Sequence, residues 1–184
     1  MQTLIFNGSP RKNGDTTSLL TLLTEGLSGE VLRVDAYDGL IKPCIDCRYC
    51  WEQPGCAIQD RMQEVYRFLE TCDNVVIASP VYFSELTGPL LSVLSRLQAL
   101  YCARAFRGET LFGQDKRGLC ILVGGGDGSL SKAEGTAKTL LRQMGTRDLL
   151  PLIAFHDTNR RTAAKDLVLQ QQLFAAAEAL STPR

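Results

Sequence analysis

Four cysteines lie close together in the sequence with the spacing C-x2-C-x2-C-x5-C. They are Cys44, Cys47, Cys50 and Cys56. Thiolates at successive three-residue intervals can bind three irons of a cubane iron–sulfur cluster, as in the bacterial ferredoxin pattern. Pro54-Gly55 predicts a turn that would bring Cys56 to the fourth iron. The spacing therefore indicates a [4Fe–4S] cluster. Two alternatives stay open: zinc held by the same thiolates, and a motif that binds no metal.

A second group of polar residues follows the first predicted strand. The segment 7–17, NGSPRKNGDTT, opens a predicted helix, whose unpaired N–H groups and dipole favour an anion. Ser9, Thr16 and Thr17 add hydroxyl donors, and Arg11 can bind two phosphate oxygens at once. The segment therefore predicts a phosphate site. It contains neither the nucleoside triphosphate motif G-x-x-x-x-G-K-[ST] nor the dinucleotide motif G-x-G-x-x-G, so the usual fingerprints of those two ligands are absent. The alternative is an ordinary loop in which Asp15 or Thr16 caps the helix.

Two further segments end predicted strands with residues suited to a flat heteroaromatic ring. Segment 78–84, ASPVYFS, supplies the aromatic side chains of Tyr82 and Phe83. Segment 123–128, VGGGDG, lets the backbone approach a ligand closely, since glycine has no Cβ. The alternatives are core packing for the aromatic residues and a flexible turn for the glycines. The carboxyl ends of parallel strands lie at one edge of a sheet, so the three segments predict a single site.

Short β-type runs alternate with longer helical patterns, which predicts βαβ units around a mostly parallel sheet. The predicted strands are Gln2–Phe6, Glu30–Asp35, Asn74–Ser79, Arg117–Val123 and Leu149–Ala154, and the predicted helices are Thr16–Leu27, Asp60–Thr71, Pro89–Tyr101, Ser131–Met144 and Thr162–Leu180. We expect one domain over residues 1–184, a three-layer α/β/α sandwich with a five-stranded parallel sheet in the order 2-1-3-4-5. Residues 37–59 hold the four cysteines and are too long for a plain connection, so they predict a functional excursion.

Composition narrows the choice of partners. Lys plus Arg and Asp plus Glu each number 20, so no basic excess favours nucleic acid or an anionic membrane. No apolar run is long enough to cross a bilayer, and the first residues do not resemble a secretory leader. Seven cysteines without such a leader predict a reducing, cytoplasmic location, and we expect Cys72, Cys102 and Cys120 to be structural. The single histidine, His156, has no Ser/His/Asp set around it in hydrolase spacing.

The three loop segments resemble those of the NAD(P)H-dependent FMN reductases and iron–sulfur flavoproteins of the flavodoxin-like superfamily. The resemblance rests on residues 8–16, 79–82 and 124–128 and covers nearly the whole chain. It implies that the FMN phosphate is held by Ser9, Arg11, Asp15, Thr16 and Thr17. It implies that the isoalloxazine ring is held by Pro80, Val81, Tyr82, Phe83 and Ser84 together with Gly124, Gly125, Gly126 and Asp127.

The sequence departs from that family at two places. Asp15 stands where Asn or Ser is common, and because a carboxylate would repel phosphate, we expect it to cap the helix instead. Ser95-Arg96 replaces a common Asp-Arg pair, which puts in doubt the contact that the aspartate makes in relatives.

The resemblance implies an FMN-dependent oxidoreductase that accepts hydride from NAD(P)H and passes electrons to a small-molecule or protein acceptor. Hydride delivery requires no acid or base side chain, so we expect no catalytic residue of that kind. Since exposed loops leave one face of the ring open, a homodimer or homotetramer is expected. Two alternatives stay open: an iron–sulfur electron relay that does not use nicotinamide directly, and a non-redox binding protein stabilised by zinc.

Overall fold

The central strands of the fold are buried along most of their length, as expected for a sheet that is covered on both faces. A computed structural model describes residues 1–113, 115–126 and 128–183. The strands are β1 Gln2–Asn7, β2 Glu30–Asp35, β3 Asn74–Tyr82, β4 Glu85–Leu86, β5 Lys116–Val123, β6 Thr146–Leu149 and β7 Ile153–Phe155. The helices are α1 Asp15–Glu25, α2 Tyr49–Glu52, α3 Met62–Thr71, α4 Gly88–Leu94, α5 Gln98–Arg107, α6 Ser131–Gln143 and α7 Leu167–Ser181.

The parallel part of the sheet has the strand order β2-β1-β3-β5, followed by β6 and β7, which both pair with β5. The predicted order 2-1-3-4-5 is confirmed, with the fifth strand divided into two pieces. Pro151 lies between the pieces and has no N–H to donate to the ladder. The short strand β4 was not predicted; it pairs antiparallel with the end of β3.

Alternate residues of each strand enter two separate apolar cores, because successive side chains point to opposite faces of a sheet. Leu4 and Phe6 of β1 pack in the core under α3, α4 and α6. Ile5 packs in the other core, under α1 and α7. This arrangement confirms the three-layer sandwich. Within the described residues, no helix is long and apolar enough to span a bilayer.

Two of the predicted helices differ in their boundaries. The helix expected over Pro89–Tyr101 is divided into α4, a 3-10 turn at Ser95–Leu97 and α5. Helix α5 continues to Arg107 and is capped by Gly108, which has a φ of 65°. The helix expected from Thr162 begins as a 3-10 turn at Ala163–Lys165, and α7 starts only at Leu167. The cause is Asp166, whose carboxylate accepts the backbone N–H of Leu169 at 3.0 Å and caps α7.

The base of the excursion at residues 37–59 is held by a buried ion pair. The Arg96 guanidinium donates to Asp60 Oδ2 at 2.8 Å and to the carbonyls of Lys42 at 2.9 Å and Ile58 at 3.1 Å. Asp60 Oδ2 also accepts the N–H of Lys42 at 2.9 Å. One arginine therefore joins the start and the end of the cysteine-containing segment.

Ser95 supplies a further contact to the same segment. Its Oγ accepts the backbone N–H of Cys44 at 2.9 Å. The Ser95-Arg96 pair, which departs from the family pattern, therefore anchors the excursion by side-chain contacts on both residues.

Replacing Asp60 by Asn should destabilise the protein strongly, because it leaves the buried Arg96 guanidinium without a counter-charge. Removing one partner of a buried pair costs about 3–5 kcal/mol of the free energy of unfolding, measurable by urea denaturation at neutral pH. The matched control is Asp38→Asn, which removes the counter-charge from an ion pair with Arg61 whose side chains are 28% and 26% exposed, and it should cost no more than about 1 kcal/mol.

The cost of Asp60→Asn should also depend on pH. Burial opposes the charged carboxylate, but hydrogen bonds from Arg96 and from two backbone N–H groups hold the pKa of Asp60 below its usual value. The stabilisation is therefore present above the unfolded-state pKa of about 3.9 and is lost as the pH falls through the lower folded-state pKa. A deficit that is small at neutral pH, or one that does not shrink under acid conditions, would contradict this role.

Candidate functional site

The carboxyl ends of β1, β3, β5 and β7 surround one cleft. Its walls are formed by Ser9, Pro10, Arg11, Gly14, Asp15, Thr16, Pro80, Val81, Tyr82, Val123, Gly125, Thr158 and Asn159. The three loop segments that the sequence singles out therefore contribute to a single cleft. Thr158 and Asn159 were not predicted, although their place just after the last strand is the signal that could have found them.

The loop between β1 and α1 is fixed by its own polar groups. Asn7 Oδ1 accepts the N–H of Ser9 at 3.1 Å, and Ser9 Oγ accepts the N–H of Arg11 at 3.2 Å. The hydroxyl of Thr17 donates to the Arg11 carbonyl at 2.8 Å. Two of the three hydroxyls predicted to bind phosphate therefore shape the loop.

The first turn of α1 presents donors that the described part of the protein does not use. No described residue accepts the backbone N–H groups of Asp15, Thr16 or Thr17, or the Thr16 hydroxyl, and the N-cap Gly14 offers no side chain. Arg11 is exposed beside them and forms no ion pair with any described residue. Free N–H groups at a positive helix end next to a guanidinium suit a phosphate group.

Asp15 does not cap α1, contrary to expectation. The N-cap position is Gly14, and Asp15 is the first helical residue. Its Oδ1 accepts the N–H of Ala163 at 2.8 Å, so the carboxylate binds the 3-10 turn that precedes α7. Asp15 thereby ties the start of α1 to the C-terminal part of the chain.

The segment 80–84 is a tight hairpin rather than an open loop. Strand β3 continues to Tyr82, and Phe83 and Ser84 form the turn with φ values of 52° and 62°, the conformation of a type I′ turn. Pro80, Val81 and Tyr82 line the cleft, whereas Phe83 and Ser84 do not, and the Phe83 side chain is fully exposed. The structure thus brings three of these five predicted residues to the site.

Thr87 joins this hairpin to the loop between β1 and α1 and to the end of β3. Thr87 donates from its hydroxyl to the Gly8 carbonyl at 2.9 Å, and its N–H binds Ser79 Oγ at 3.2 Å. Tyr37, at the end of β2, lies close by: burial and the neighbouring Tyr82 raise the pKa of its phenol. Tyr37 is therefore a neighbour of Tyr82, but it is not among the residues that line the cleft.

The glycine segment is close to the last loop of the cleft. A Cβ on Gly125 would lie 3.2 Å from Asn159 Oδ1 and 3.3 Å from Asn159 Nδ2. A Cβ on Gly124 would have ordinary contacts and one on Gly126 would meet open space, so only Gly125 has a close-approach role. Asp127, which was also predicted to bind the ring, lies outside the described residues.

The four cysteines are not gathered into a metal site in the described structure. Cys44, Cys50 and Cys56 are half-buried and Cys47 is exposed. Among the described residues, no three Cys, His, Asp or Glu side chains are placed to hold one metal ion. Four thiols in this spacing nevertheless remain a suitable donor set for iron or zinc.

The backbone around Cys47 is unusual. Asp46 and Arg48, on either side of it, have φ values of 49° and 60°. Non-glycine residues in the left-handed region cost of order 1–3 kcal/mol each and concentrate at ligand-binding segments. Such a conformation is consistent with a segment that is shaped to bind a ligand.

Comparisons with known proteins decide the family. The family model described as NADPH-dependent FMN reductase matches residues 1–159. The chain belongs to this family. Two relatives are named iron–sulfur flavoproteins: one from Methanocaldococcus jannaschii, 30% identical over 105 residues (54% of this chain, 53% of the relative), and one from Archaeoglobus fulgidus, 31% identical over 131 residues (65% and 60%). The chain thus spans little more than half the length of these curated relatives.

Solved structures show the fold of this FMN reductase family member. An FMN-dependent NADH-azoreductase from Bacillus anthracis in complex with FMN has a TM-score of 0.68 at 17% identity, covering 98% of this chain and 99% of that one. An apo NADH:FMN oxidoreductase has a TM-score of 0.66 at 18% identity, covering 98% and 88%. An archaeal flavodoxin has a TM-score of 0.57 at 12% identity, covering 99% and 100%. The predicted flavodoxin-like fold is confirmed.

Gly125→Val should weaken FMN binding while the apo-protein stays folded. The added side chain would crowd Asn159 at the cleft wall and occupy the space in which the backbone can approach the ring. FMN affinity should therefore fall by about tenfold, as measured by fluorescence titration. The control is Gly128→Val in the same loop, where a Cβ meets nothing within 4 Å. Equal affinity for both variants, or loss of the cooperative melt in Gly125→Val, would contradict a ligand-binding role for Gly125.

Proposed function

We propose that this chain is an FMN-dependent oxidoreductase that takes hydride from NAD(P)H and passes electrons to a small-molecule or protein acceptor. The observation that carries the proposal is the unused N-terminus of α1 beside Arg11, in the same cleft as Tyr82 and Gly125. An anion site next to an aromatic side chain and a glycine wall suits a phosphorylated flavin. Family membership supports the same chemistry.

The phosphate would bind at the start of α1. The N–H groups of Asp15, Thr16 and Thr17 and the hydroxyl of Thr16 are the available donors, and Arg11 supplies the positive charge. Ser9 contributes by holding the loop in shape. The Asp15 carboxylate, which would repel phosphate, is held by the N–H of Ala163.

The ring would lie between the β3 hairpin and the glycine segment. Tyr82 offers an aromatic surface, Pro80 and Val81 offer apolar contacts, and Gly125 permits close approach of the backbone. When bound, FMN supplies the hydride and electron chemistry, so the protein has to bind and orient it and to leave one face accessible to the nicotinamide. Contacts of the ring with Phe83, Ser84, Gly124, Gly126 and Asp127 remain predictions.

We also propose that a second subunit covers the exposed side of the cleft, in a homodimer or homotetramer. Tyr82 is half exposed and Phe83 fully exposed at its rim. Exposed aromatic residues of this kind are enriched in protein interfaces.

The test is an anaerobic titration of the FMN-loaded protein with NADPH and with NADH, in which flavin absorbance should bleach at least with one donor. Arg11→Ala should raise the Kd for FMN about 10- to 100-fold, because a charge-assisted hydrogen bond is worth about 1.5–3 kcal/mol. The control, Lys12→Ala, removes the same charge from the next residue, which does not line the cleft. No bleaching with either donor would exclude a nicotinamide-dependent activity, and unchanged FMN affinity in Arg11→Ala would place the phosphate elsewhere.

A second candidate function is an iron–sulfur flavoprotein that relays electrons between partners without direct use of nicotinamide. The observations that favour it are the C-x2-C-x2-C-x5-C segment, the left-handed residues on both sides of Cys47, and the names of the relatives. For metal binding, Cys44, Cys47, Cys50 and Cys56 would have to come together from the positions that they occupy here.

If these four thiols hold a [4Fe–4S] cluster, protein purified without oxygen should be brown and contain about four irons per chain. Replacing any one of the four by Ala should remove the cluster while FMN stays bound, because the FMN cleft is formed by other segments. The control is Cys72→Ala, which changes a buried cysteine at the C-terminal end of α3 and should retain the iron. A yellow protein that takes up no iron on anaerobic reconstitution would exclude the cluster, and a colourless protein with one zinc per chain would favour the zinc-stabilised binding protein.

A further inference from the structure

A second cavity lies at the amino ends of β5 and β6, at the opposite edge of the sheet from the FMN cleft. It has a volume of about 230 Å³, and its wall includes the last turns of α5 and α6 and the residues that immediately precede β5 and β6. Strand β5 runs from Lys116 to Val123, so about 20–25 Å of strand separates the two edges. The cavity is therefore separate from the FMN cleft.

The wall of this cavity carries more positive charge than its carboxylates offset. Its charged lining side chains are Arg104, Arg142, Arg147, Glu109 and Asp115. Arg107, which is not part of the lining, donates to both carboxylate oxygens of Glu109, at 2.6 and 3.1 Å. Arg147 is paired with Asp115 at 3.8 Å. The other two lining arginines form no ion pair with any described residue, so two guanidinium charges are left over.

One amide in the same wall has a buried donor without an acceptor. Gln143 Oε1 accepts a hydrogen bond from the Arg104 guanidinium, which fixes the orientation of the amide. Its Nε2 is buried and has no hydrogen-bond partner among the described residues. Arginines in the last turn of a helix offset its dipole, and Arg104 and Arg142 have that position in α5 and α6. That role needs no ligand, but it leaves the buried N–H of Gln143 unexplained, and native proteins rarely leave such a group unpaired.

The remaining part of the wall is apolar and held in place. Leu111 and Phe112 line the cavity. The Phe112 ring lies against the backbone of Gly145, where an added Cβ would be 2.5 Å from the ring atom Cδ2. The Lys116 ammonium lies 4.8 Å from the centre of the same ring. The ring therefore provides a fixed apolar surface in the same cavity as the two guanidiniums that lack a carboxylate partner.

We propose that this cavity binds a small phosphate monoester whose organic part is apolar or aromatic. A phosphate monoester carries nearly two negative charges at neutral pH, which matches the two guanidinium charges of Arg104 and Arg142. Its oxygens supply the acceptor that Gln143 Nε2 lacks. The organic part packs on Leu111 and Phe112.

The test is isothermal titration calorimetry of the full chain, saturated with FMN, with phenyl phosphate as the probe. One probe should bind per chain, and more tightly than inorganic phosphate, which has no apolar part. Benzenesulfonate, a monoanion with the same ring, should bind more weakly than phenyl phosphate. Arg142→Gln should raise the Kd for phenyl phosphate about 10- to 100-fold, because a charge-assisted hydrogen bond is lost. The matched control, Arg67→Gln, removes an exposed arginine from α3 and should bind like the parent.

A second variant covers the case in which Arg142→Gln folds poorly. Gln143→Leu removes the unpaired N–H and should also weaken the binding of phenyl phosphate. Equal affinity in Arg142→Gln and Arg67→Gln, or for phenyl phosphate and benzenesulfonate, would mean that the arginines only offset the helix ends, and it would overturn the proposal. The absence of saturable binding at millimolar probe would do the same.

The titration also separates this cavity from the FMN cleft. Binding that is seen only without FMN, or that Arg11→Ala weakens as much as Arg142→Gln does, would place the probe in the cleft and rule out the second site. Failure of the protein to bind FMN would leave the titration valid, because the described walls of the cleft and of the cavity share no residue.

Discussion

The parallel pairing of β1, β3 and β5 is the constraint on which the candidate site depends. Their ladders run from Thr3↔Asn74 to Asn7↔Ala78 and from Asn74↔Arg117 to Pro80↔Val123, so all three strands leave the sheet at the same edge. Three segments that are more than 35 residues apart along the chain are thereby brought within reach of one ligand. Burial of both faces fixes the register, because a shift by one residue would move every apolar side chain to the wrong core.

The excursion is built by a different kind of interaction. It contributes Ile41 to the apolar core, but its polar contacts converge on the Arg96 guanidinium. Arg96 Nε has no hydrogen-bond partner among the described residues, so the pair is not fully satisfied even in its buried position. A buried ion pair of this kind adds little net stability, but leaving either partner unpaired is costly, so it favours one arrangement of the segment. The same chain therefore combines a cleft held by the sheet with a cysteine segment held mainly by polar side-chain contacts, those of Arg96 and Ser95 among them.

The strands and the location of the cleft could be predicted because they depend on local patterns, namely apolar runs and glycine-rich segments at strand ends. The continuation of β3 through Pro80 was missed because proline usually ends a strand. Here Pro80 lies at the last pair of the ladder, opposite Val123, where a missing N–H matters least. The buried role of Arg96 depends on residues distant in sequence, and no local pattern encodes it. Asp15 was misassigned for the same reason, as its partner, Ala163, lies near the other end of the chain.

The gap at Pro151 has a consequence for the behaviour of the protein in a crowded solution. A sheet edge with a continuous row of unpaired N–H and C=O groups is a template on which another chain can add a strand and begin an aggregate. This edge consists of Thr146–Leu149 and Ile153–Phe155, two runs of 4 and 3 residues separated by three residues, of which Pro151 has no N–H to donate. Neither run is long enough to support a stable added strand, so this edge resists strand addition by another chain.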